Sequence, residues 1–334
     1  MKKRTVGIYS KYDASEQSLC AMFLTRYIDE SYRYTKWFVP EAATTNSPYT
    51  GFSHQWDAEV LDWQRTDLDK RSSVEICDTF FFFERNKELF DLLPPKAITV
   101  FILDPRRQDP KDRAFSEKCT WTFVTSEAWL QRYPFLTLME NLAIWPYDPY
   151  IPCIMRRSLD YDRHPKLFFP AFGLTLSERK LVEQTAELVK LCLPHVQIVV
   201  GFYDARVEKT PGIDSLTYDW RLLRYLQNSD WLIDLNPRPF YTLFPACAGG
   251  YGLQWIGFDV MPNTDDYCAA RRHLIKTKDG LLPDLEFVAE QIVRFLATPF
   301  HDDKDRHRHA GAWDKRRAEF LRVTNKILGI KSRY

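Results

Sequence analysis

The stretch that decides the fold is SDWLIDLNPRPFYTLFPACAGGYGLQWIGFDVMPN, which runs over Ser229–Asn263. Its two ends predict short buried strands, WLIDL at 231–235 and QWIGF at 254–258. The prolines of Asn236–Pro239 cannot donate to a sheet ladder, so this segment predicts a loop. The small, apolar residues that follow predict a buried helix that ends at a glycine pair. Strand, loop, helix and strand in this order are typical of α/β proteins that bind phosphorylated ligands at the carboxyl edge of a sheet.

Strands and helices alternate on both sides of this stretch, and the strands are continuous apolar runs. Such runs predict parallel sheets that are covered on both faces. The predicted strands lie at 5–10, 35–39, 77–83, 97–103, 120–124, 141–145, 166–170, 196–201, 231–235 and 254–258. The predicted helices lie at 84–93, 127–133, 178–191, 218–227, 285–297 and 313–328. The sequence therefore predicts an α/β protein of two Rossmann-like domains facing across a cleft: residues 1–150, residues 151–300, and a basic helix at 301–334 that packs back on the first.

The length and composition agree with this division. A chain of 334 residues suits two domains of about 150 residues each. Hydrophobic residues make up 45% and charged residues 27%, which is ordinary for a globular protein. The seven cysteines are scattered and form no C-x-x-C pair, which argues against zinc and redox sites and favours reduced thiols in a cytoplasmic protein. We expect no signal peptide and no membrane span, since no apolar run reaches about 18 residues.

Positive charge is concentrated locally, although the net charge is only +1. Residues 304–334 hold ten Lys and Arg against three acidic residues. Such clusters are either solvated helix faces or contacts to a phosphate backbone. The candidates for nucleic-acid binding are Arg106, Arg107, Lys111, Arg113, Lys315, Arg316 and Arg317.

Four residues carry candidate chemistry for group transfer. Asp104 follows an apolar strand directly, where a carboxylate could take a proton from a hydroxyl, or simply form a turn before Pro105. A further helix is predicted after Ser15, because Leu19 to Tyr27 have helical spacing. Glu16 lies in its first turn, where it either acts near a substrate or complements the helix dipole. Arg179 and Lys180 begin a helix of the second half, as diphosphate ligands or as a solvated helix start. Ser177 is the predicted N-cap of that helix.

The second half resembles the GT-B glycosyltransferases. Five segments follow the order of that superfamily: KLFFPAFGLTLSERK, VQIVVGFYD, NSDWLIDLNPRPF, TLFPACAGGYG and LQWIGFDVMPN. In the first half, TFVTSEAWLQRYP and ENLAIWPYDPYIP resemble the helix and strand that lead to the hinge between the domains. The resemblance implies a GT-B fold with a nucleotide sugar bound on the second domain. The donor-binding candidates are Gly173, Ser177, Arg179, Lys180, Arg238, Tyr241 and Thr242.

Within that superfamily the chain looks most like the phage DNA β-glucosyltransferases. The likeness rests on Ser15-Glu16 and on VFILDPRRQDP, a strand that ends in an acid followed by arginine and proline. It implies that Asp104 is the general base, that Glu16 lies near the sugar and that Arg179 holds the donor diphosphate. It further implies a UDP-sugar donor, a hydroxymethylated base in double-stranded DNA as acceptor, a monomer, and host cytoplasm. No metal ligand is assigned, and a divalent metal is compatible with the reaction but not required.

The pattern also departs from the superfamily, and other functions stay open. Most relatives carry a glutamate for the nucleotide ribose in the small-residue helix, but residues 243–250 contain no acid. The absence of a G-x-G-x-x-G motif and of a P-loop argues against NAD enzymes and P-loop kinases. Asp-x-Asp triplets occur, but none clearly ends an apolar strand, which argues against a metal-dependent single-domain transferase. The alternatives are a transferase for a glycan or other small acceptor, a non-catalytic binding protein and a nucleotide-sugar epimerase.

Overall fold

The computed structural model divides the chain into two compact units. Unit 1 is Met1–Tyr150 with Arg316–Tyr334, and unit 2 is Ile151–Lys315. The structure describes residues 5–11, 16–30, 34–40, 58–65, 67–125, 128–144, 165–171, 174–202, 211–217, 228–237, 244, 248, 253–259, 272–277, 283–297, 318 and 321–329.

Unit 1 is built on a parallel sheet of seven strands in the order β3-β2-β1-β4-β5-β6-β7. The strands are β1 Thr5–Tyr9, β2 Tyr34–Val39, β3 Ala58–Asp62, β4 Cys77–Phe82, β5 Ile98–Ile102, β6 Trp121–Val124 and β7 Leu142–Ile144. Its described helices are α1 Glu16–Glu30, α2 Lys70–Glu75, α3 Lys87–Asp91, α4 Pro110–Ser116 and α5 Ala128–Arg132, with 3-10 turns at Pro105–Arg107 and Pro134–Leu138.

The centre of this sheet is aromatic. Phe80, Phe81 and Phe82 of β4 are fully buried, as a strand covered on both faces requires. The ring of Phe80 lies 5.5 Å from that of Phe38 on β2 and 4.6 Å from that of Phe82. Phe80 reaches across β1 at Gly7, which is its partner in the strand register. Glycine at this position gives the ring the space that a Cβ atom would occupy.

Unit 2 is built on a parallel sheet of six strands in the order β10-β9-β8-β11-β12-β13. The strands are β8 Lys166–Pro170, β9 Gln197–Phe202, β10 Ile213–Thr217, β11 Trp231–Asp234, β12 Gln254–Phe258 and β13 Arg272–Ile275. Its described helices include α6 Leu176–Cys192 and α7 Leu285–Leu296. Both helices pack on one hydrophobic core with the central strands, and Val182, Val189 and Ile292 lie at its centre.

The C-terminal segment packs within unit 1. Residues 321–328 are helical, and Ile327 and Leu328 are buried. The hydroxyl of Tyr27 on α1 donates a hydrogen bond to Oδ1 of Asn325 at 2.7 Å. The ammonium of Lys326 lies 5.2 Å from the ring centre of Trp121, which is a cation–π contact. These contacts tie the end of the chain to the helix and strand that flank it.

Several elements differ from the sequence predictions. β3, β10, β13, α2 and α4 were not predicted. The helix predicted at 84–93 is shorter, because Asn86 caps α3 by accepting from the N–H of Leu89 at 3.0 Å. The helix predicted at 218–227 and most of the small-residue helix lie outside the described residues.

Candidate functional site

The order of the strands locates the candidate sites. In each parallel sheet, the chain first adds strands towards one edge and then towards the other. This change of direction in the strand order falls between β1 and β4 in unit 1 and between β8 and β11 in unit 2. The loops that leave the carboxyl ends of two such strands diverge, which opens a crevice where α/β proteins bind ligands. Candidate residues are therefore expected after β1 and β4 in unit 1 and after β8 and β11 in unit 2. Asp104 follows β5, which is the neighbour of β4 in the sheet.

Asp104 lies at the carboxyl edge of unit 1. It follows Leu103, which is buried and still donates its N–H to the carbonyl oxygen of Phe123 at 2.8 Å. The Asp104 side chain is 16% exposed, and its Oδ2 lies 3.9 Å from Nε of Arg107. The N–H of Arg107 donates to the carbonyl oxygen of Asp104 at 3.3 Å, which closes the 3-10 turn. The carboxylate is thus partly accessible and lies near the guanidinium of Arg107.

The ends of β1 and β4 are joined by an ion pair across the change of direction. Nζ of Lys11 lies 3.8 Å from Oε1 of Glu84. The hydroxyl of Ser18, in the first turns of α1, donates to the carbonyl oxygen of Lys11 at 2.6 Å. Glu16 is the first residue of α1, but its side chain lies outside the described part of the structure. Burial raises the pKa of Tyr9 at the end of β1, and the charge of Glu84 adds to that effect.

Helix α6 begins two residues earlier than the sequence pattern predicted. Its N-cap is Thr175, so the prediction of Ser177 as N-cap is wrong. Thr175 and Glu178 form a capping box: Oε2 of Glu178 accepts from the N–H of Thr175 at 2.8 Å, and Oγ1 of Thr175 accepts from the N–H of Glu178 at 3.4 Å. The Glu178 carboxylate therefore already complements the positive end of this helix.

Arg179 follows directly and has an unusual environment. Its Nε is buried and finds no hydrogen-bond acceptor in the part of the chain that the structure describes. Glu183 lies one turn further along α6; burial raises its pKa, Glu187 raises it further, and Arg179 and Lys180 oppose the rise. Ser177 and Lys180 are exposed on either side of Arg179. The structure thus brings three of the predicted donor-binding residues together on the first turns of α6.

The basic loop of unit 1 is interleaved with acidic residues. Nε of Arg113 lies 3.2 Å from Oε1 of Glu117, in an exposed pair one turn apart on α4. Arg107 faces Asp104, as described above, and Lys111 is exposed. The side chain of Arg106 lies outside the described set. The loop therefore presents less uncompensated positive charge than its sequence suggested.

Other predicted site residues lie outside the described residues. These are Gly173, Arg238, Tyr241, Thr242, Lys315, Arg316 and Arg317.

Arg85 at the end of β4 makes a contact that the sequence analysis missed. Its Nη1 donates to Oδ1 of Asp112 at 2.7 Å and to the carboxylate of Asp109. An arginine two residues after the predicted strand 77–83, in FFFFER, was the available signal, because strand carboxyl ends carry functional residues. The identity of its partners could not be found in the sequence.

The described residues contain neither a metal centre nor a membrane-spanning helix. No group of three or more His, Cys, Asp and Glu side chains is arranged there to hold a metal ion. None of the helices described there has both the length and the apolar character that a membrane crossing requires.

Comparisons with known proteins identify the fold. No protein-family model matches the chain, and no curated protein matches its sequence. Among solved structures, the chain is similar to the pneumococcal O-GlcNAc transferase GtfA in complex with UDP and GlcNAc, with a TM-score of 0.65 and 8% identity over 99% of both chains. It is also similar to WaaG, a glycosyltransferase of lipopolysaccharide biosynthesis, with a TM-score of 0.55 and 11% identity over 97% of this chain and 100% of WaaG. A third is a putative UDP-N-acetylglucosamine 2-epimerase from Listeria monocytogenes, with a TM-score of 0.60 and 10% identity over 98% of both chains.

These similarities confirm the predicted fold class. The chain has two Rossmann-like α/β units with parallel sheets of seven and six strands, which is the architecture of the GT-B glycosyltransferases. At identities this low, the likeness is one of fold.

Proposed function

We propose that this protein transfers a sugar from a nucleotide-sugar donor, in the first place a UDP-sugar, to an acceptor hydroxyl. The observation that carries the proposal is the buried Nε of Arg179, which meets no acceptor among the residues described. Buried polar hydrogens nearly always have a partner, and a guanidinium binds phosphate oxygens especially well. The diphosphate of a nucleotide sugar would supply that acceptor.

The surroundings of Arg179 support a diphosphate in this position. Helix α6 follows β8, one of the two strands at the change of direction in unit 2, where ligands of this fold class bind. Because Glu178 already complements the helix end, the positive charge for an anion would come from side chains. Arg179, with the exposed Lys180 and Ser177 beside it, provides them. The roles of Gly173, Arg238, Tyr241 and Thr242 in donor binding stay predictions.

In unit 1 we assign Asp104 as the general base. Its carboxylate would take the proton of the acceptor hydroxyl while the hydroxyl oxygen forms its bond to the anomeric carbon. The bond from that carbon to the diphosphate breaks in the same step, and the diphosphate leaves with the bonding electron pair. Arg179 would stabilise the negative charge that develops on the leaving group. Glu16, at the start of α1, would contact the sugar.

For the acceptor we propose a hydroxymethylated base in double-stranded DNA, flipped out of the duplex. This part rests on the resemblance to phage DNA β-glucosyltransferases and on the exposed Lys111, which is close to Asp104 in sequence. A glycan or another small hydroxyl compound is the alternative acceptor. Offering hydroxymethylated duplex, unmodified duplex and a panel of glycans to the enzyme with one donor would separate these acceptors.

An epimerase is the second candidate, because one similar structure is a putative UDP-N-acetylglucosamine 2-epimerase with a TM-score of 0.60. An epimerase would convert the nucleotide sugar without any acceptor, whereas a transferase would release nucleotide and label the acceptor. A non-catalytic binding protein would bind the donor and give neither product. A monomeric state and the cytoplasm stay predictions from the sequence.

The decisive experiment compares Asp104→Asn with Asp91→Asn. Asp91 is an exposed acid at the end of α3 and is a control for loss of one carboxylate. We expect Asp104→Asn to lower transfer by about 100-fold or more, since general-base catalysis contributes that much, and to leave donor binding unchanged. Transfer by Asp104→Asn at the rate of Asp91→Asn would remove Asp104 as the base. A donor screen by thermal shift would identify the nucleotide sugar, because a bound ligand raises the melting temperature.

A further inference from the structure

Arg85 contacts two acids that follow the loop carrying Asp104 and so restrains this loop. Arg85 follows β4, whereas Asp109 and Asp112 lie beyond the loop, at the start of α4. One nitrogen, Nη1, donates to the carboxylate of Asp109 and to Oδ1 of Asp112 at 2.7 Å. The contact therefore joins the carboxyl end of β4 to the far end of the loop after β5.

The loop itself is short and constrained. After Asp104 it forms a 3-10 turn, and then Gln108 adopts a φ of +46°, which side-chain-bearing residues rarely do. The N–H of Gln108 donates to the carbonyl oxygen of Pro105 at 3.3 Å. Asp109 then caps α4 by accepting from the N–H of Lys111 at 2.8 Å. A backbone in this sparsely populated conformation persists only when the surrounding structure determines it.

The charges of Arg85, Asp109 and Asp112 favour the contact between them. Asp112 is buried with 6% of its surface exposed, so its charged carboxylate would destabilise the fold without a cation close by. The hydrogen bond from Arg85 is the largest cause of the lowered pKa of Asp109, followed by the N–H of Lys111. Asp109 in turn raises the pKa of Arg85. Arg85 therefore stabilises two acids at the start of α4, its N-cap Asp109 and Asp112 in its first turn.

We propose that Arg85 is a positioning residue for Asp104. It fixes the start of α4 relative to β4, and thereby fixes the 3-10 turn that presents the Asp104 carboxylate at the edge of the sheet. The catalytic consequence rests on the proposed function, whereas the restraint of the loop rests only on the contacts described above.

The first experiment measures how often the loop opens and does not depend on an activity assay. Arg85→Met removes the donor and keeps an unbranched side chain, and Arg71→Met is the matched control, since Arg71 is exposed and paired only with Glu75 among the described residues. In Arg85→Met we expect hydrogen exchange at the amides of Arg107, Gln108 and Lys111 to rise by about tenfold, because the loop opens more often. Exchange at these amides equal to that of Arg71→Met would overturn the proposal, whatever the activity.

The second experiment separates positioning from neutralisation of a buried charge. The double variant Arg85→Met/Asp112→Leu removes the exposed cation together with its buried partner, so that no buried carboxylate is left without a cation. We expect its melting temperature to recover towards that of the wild type. We also expect kcat to stay lowered by about 10-fold to 100-fold with the donor KM changed by less than about twofold, since a small misplacement of a catalytic group costs that much. Recovery of kcat together with the melting temperature would contradict a positioning role.

The two proposals fail differently. If the wild-type protein transfers no sugar in any assay, the proposed function is wrong, and the exchange experiment still decides whether Arg85 holds the loop. If transfer depends on Asp104 but Arg85→Met has wild-type exchange and kcat, the proposed function stands and the positioning role is wrong.

Discussion

Replacing Arg179 by methionine should stabilise the ligand-free protein and weaken its binding of a nucleotide sugar. A buried donor without an acceptor costs about 1–3 kcal/mol, and the lower end applies because Arg179 as a whole is only half-buried. Methionine keeps most of the aliphatic stem, has a similar helix propensity and carries no N–H. The lost attraction to Glu183, one turn along the helix, is worth only about 0.2–0.5 kcal/mol. We therefore expect the free energy of unfolding to rise by about 0.5–1 kcal/mol.

The same change should lower the affinity for the donor. A hydrogen bond from a charged donor to a phosphate oxygen contributes about 1.5–3 kcal/mol. Since about 1.4 kcal/mol corresponds to a factor of ten, the Kd of the nucleotide sugar should rise by about 10-fold to 100-fold. An arginine that serves only the fold would give the opposite result, namely a less stable protein with unchanged affinity.

Two measurements check this pair of effects. Urea denaturation gives the free energy of unfolding without ligand, and titration calorimetry with the UDP-sugar found by thermal shift gives the Kd. Arg71→Met is again the control, because it removes an exposed arginine of unit 1 and should change stability by less than about 0.5 kcal/mol. Wild-type affinity in Arg179→Met would refute the assignment of Arg179 to the diphosphate, and a fall in stability would show that its Nε has a structural partner.

Two further predictions concern the fold. A Cβ atom at Gly7 would lie 2.2 Å from the ring of Phe80, so Gly7→Ala should destabilise the protein by about 1–3 kcal/mol. Denaturant unfolding of Gly7→Ala, Phe80→Leu and the double variant should show that the two destabilisations are not additive. Burial raises the pKa of the Cys77 and Cys119 thiols from 9.0 to about 12, so the unfolded chain loses these protons at lower pH than the folded protein. The free energy of unfolding should therefore fall as pH rises from about 9 to 12. A Cys77→Ala/Cys119→Ala variant should show a smaller fall over the same range.

Sequence patterns predicted the central strands well and missed three of the four strands at the sheet edges. Central strands such as β4 are covered on both faces and must be apolar throughout, so they are visible as continuous runs. The strands β3, β10 and β13 lie at the ends of their sheets and carry charged or polar residues, as in AEVLD and RHLI. Such residues protect an exposed edge and at the same time remove the hydrophobic pattern that would identify the strand.

The candidate site could be predicted only where one residue follows a strand or starts a helix. Asp104 was visible because it comes directly after an apolar run. The capping box at Thr175 was also present in the sequence as T-x-x-E, and the nearer serine was chosen instead. The contact of Arg85 with Asp112 joins residues 27 positions apart, and the burial of Nε in Arg179 depends on packing. Neither fact has a signal in the local sequence.

The charges at the two sheet edges differ in a way that supports the assignment of donor and acceptor. At the edge of unit 1, Lys11 lies beside Glu84 and Asp104 faces Arg107, so these charges are already balanced. A group bound there need not carry charge, which suits the hydroxyl of an acceptor. At the edge of unit 2, the helix end is complemented by Glu178, while the buried Nε of Arg179 has no acceptor within the described residues. An anionic group would satisfy that nitrogen without displacing an existing ion pair, and so the diphosphate is better placed on unit 2 than on unit 1.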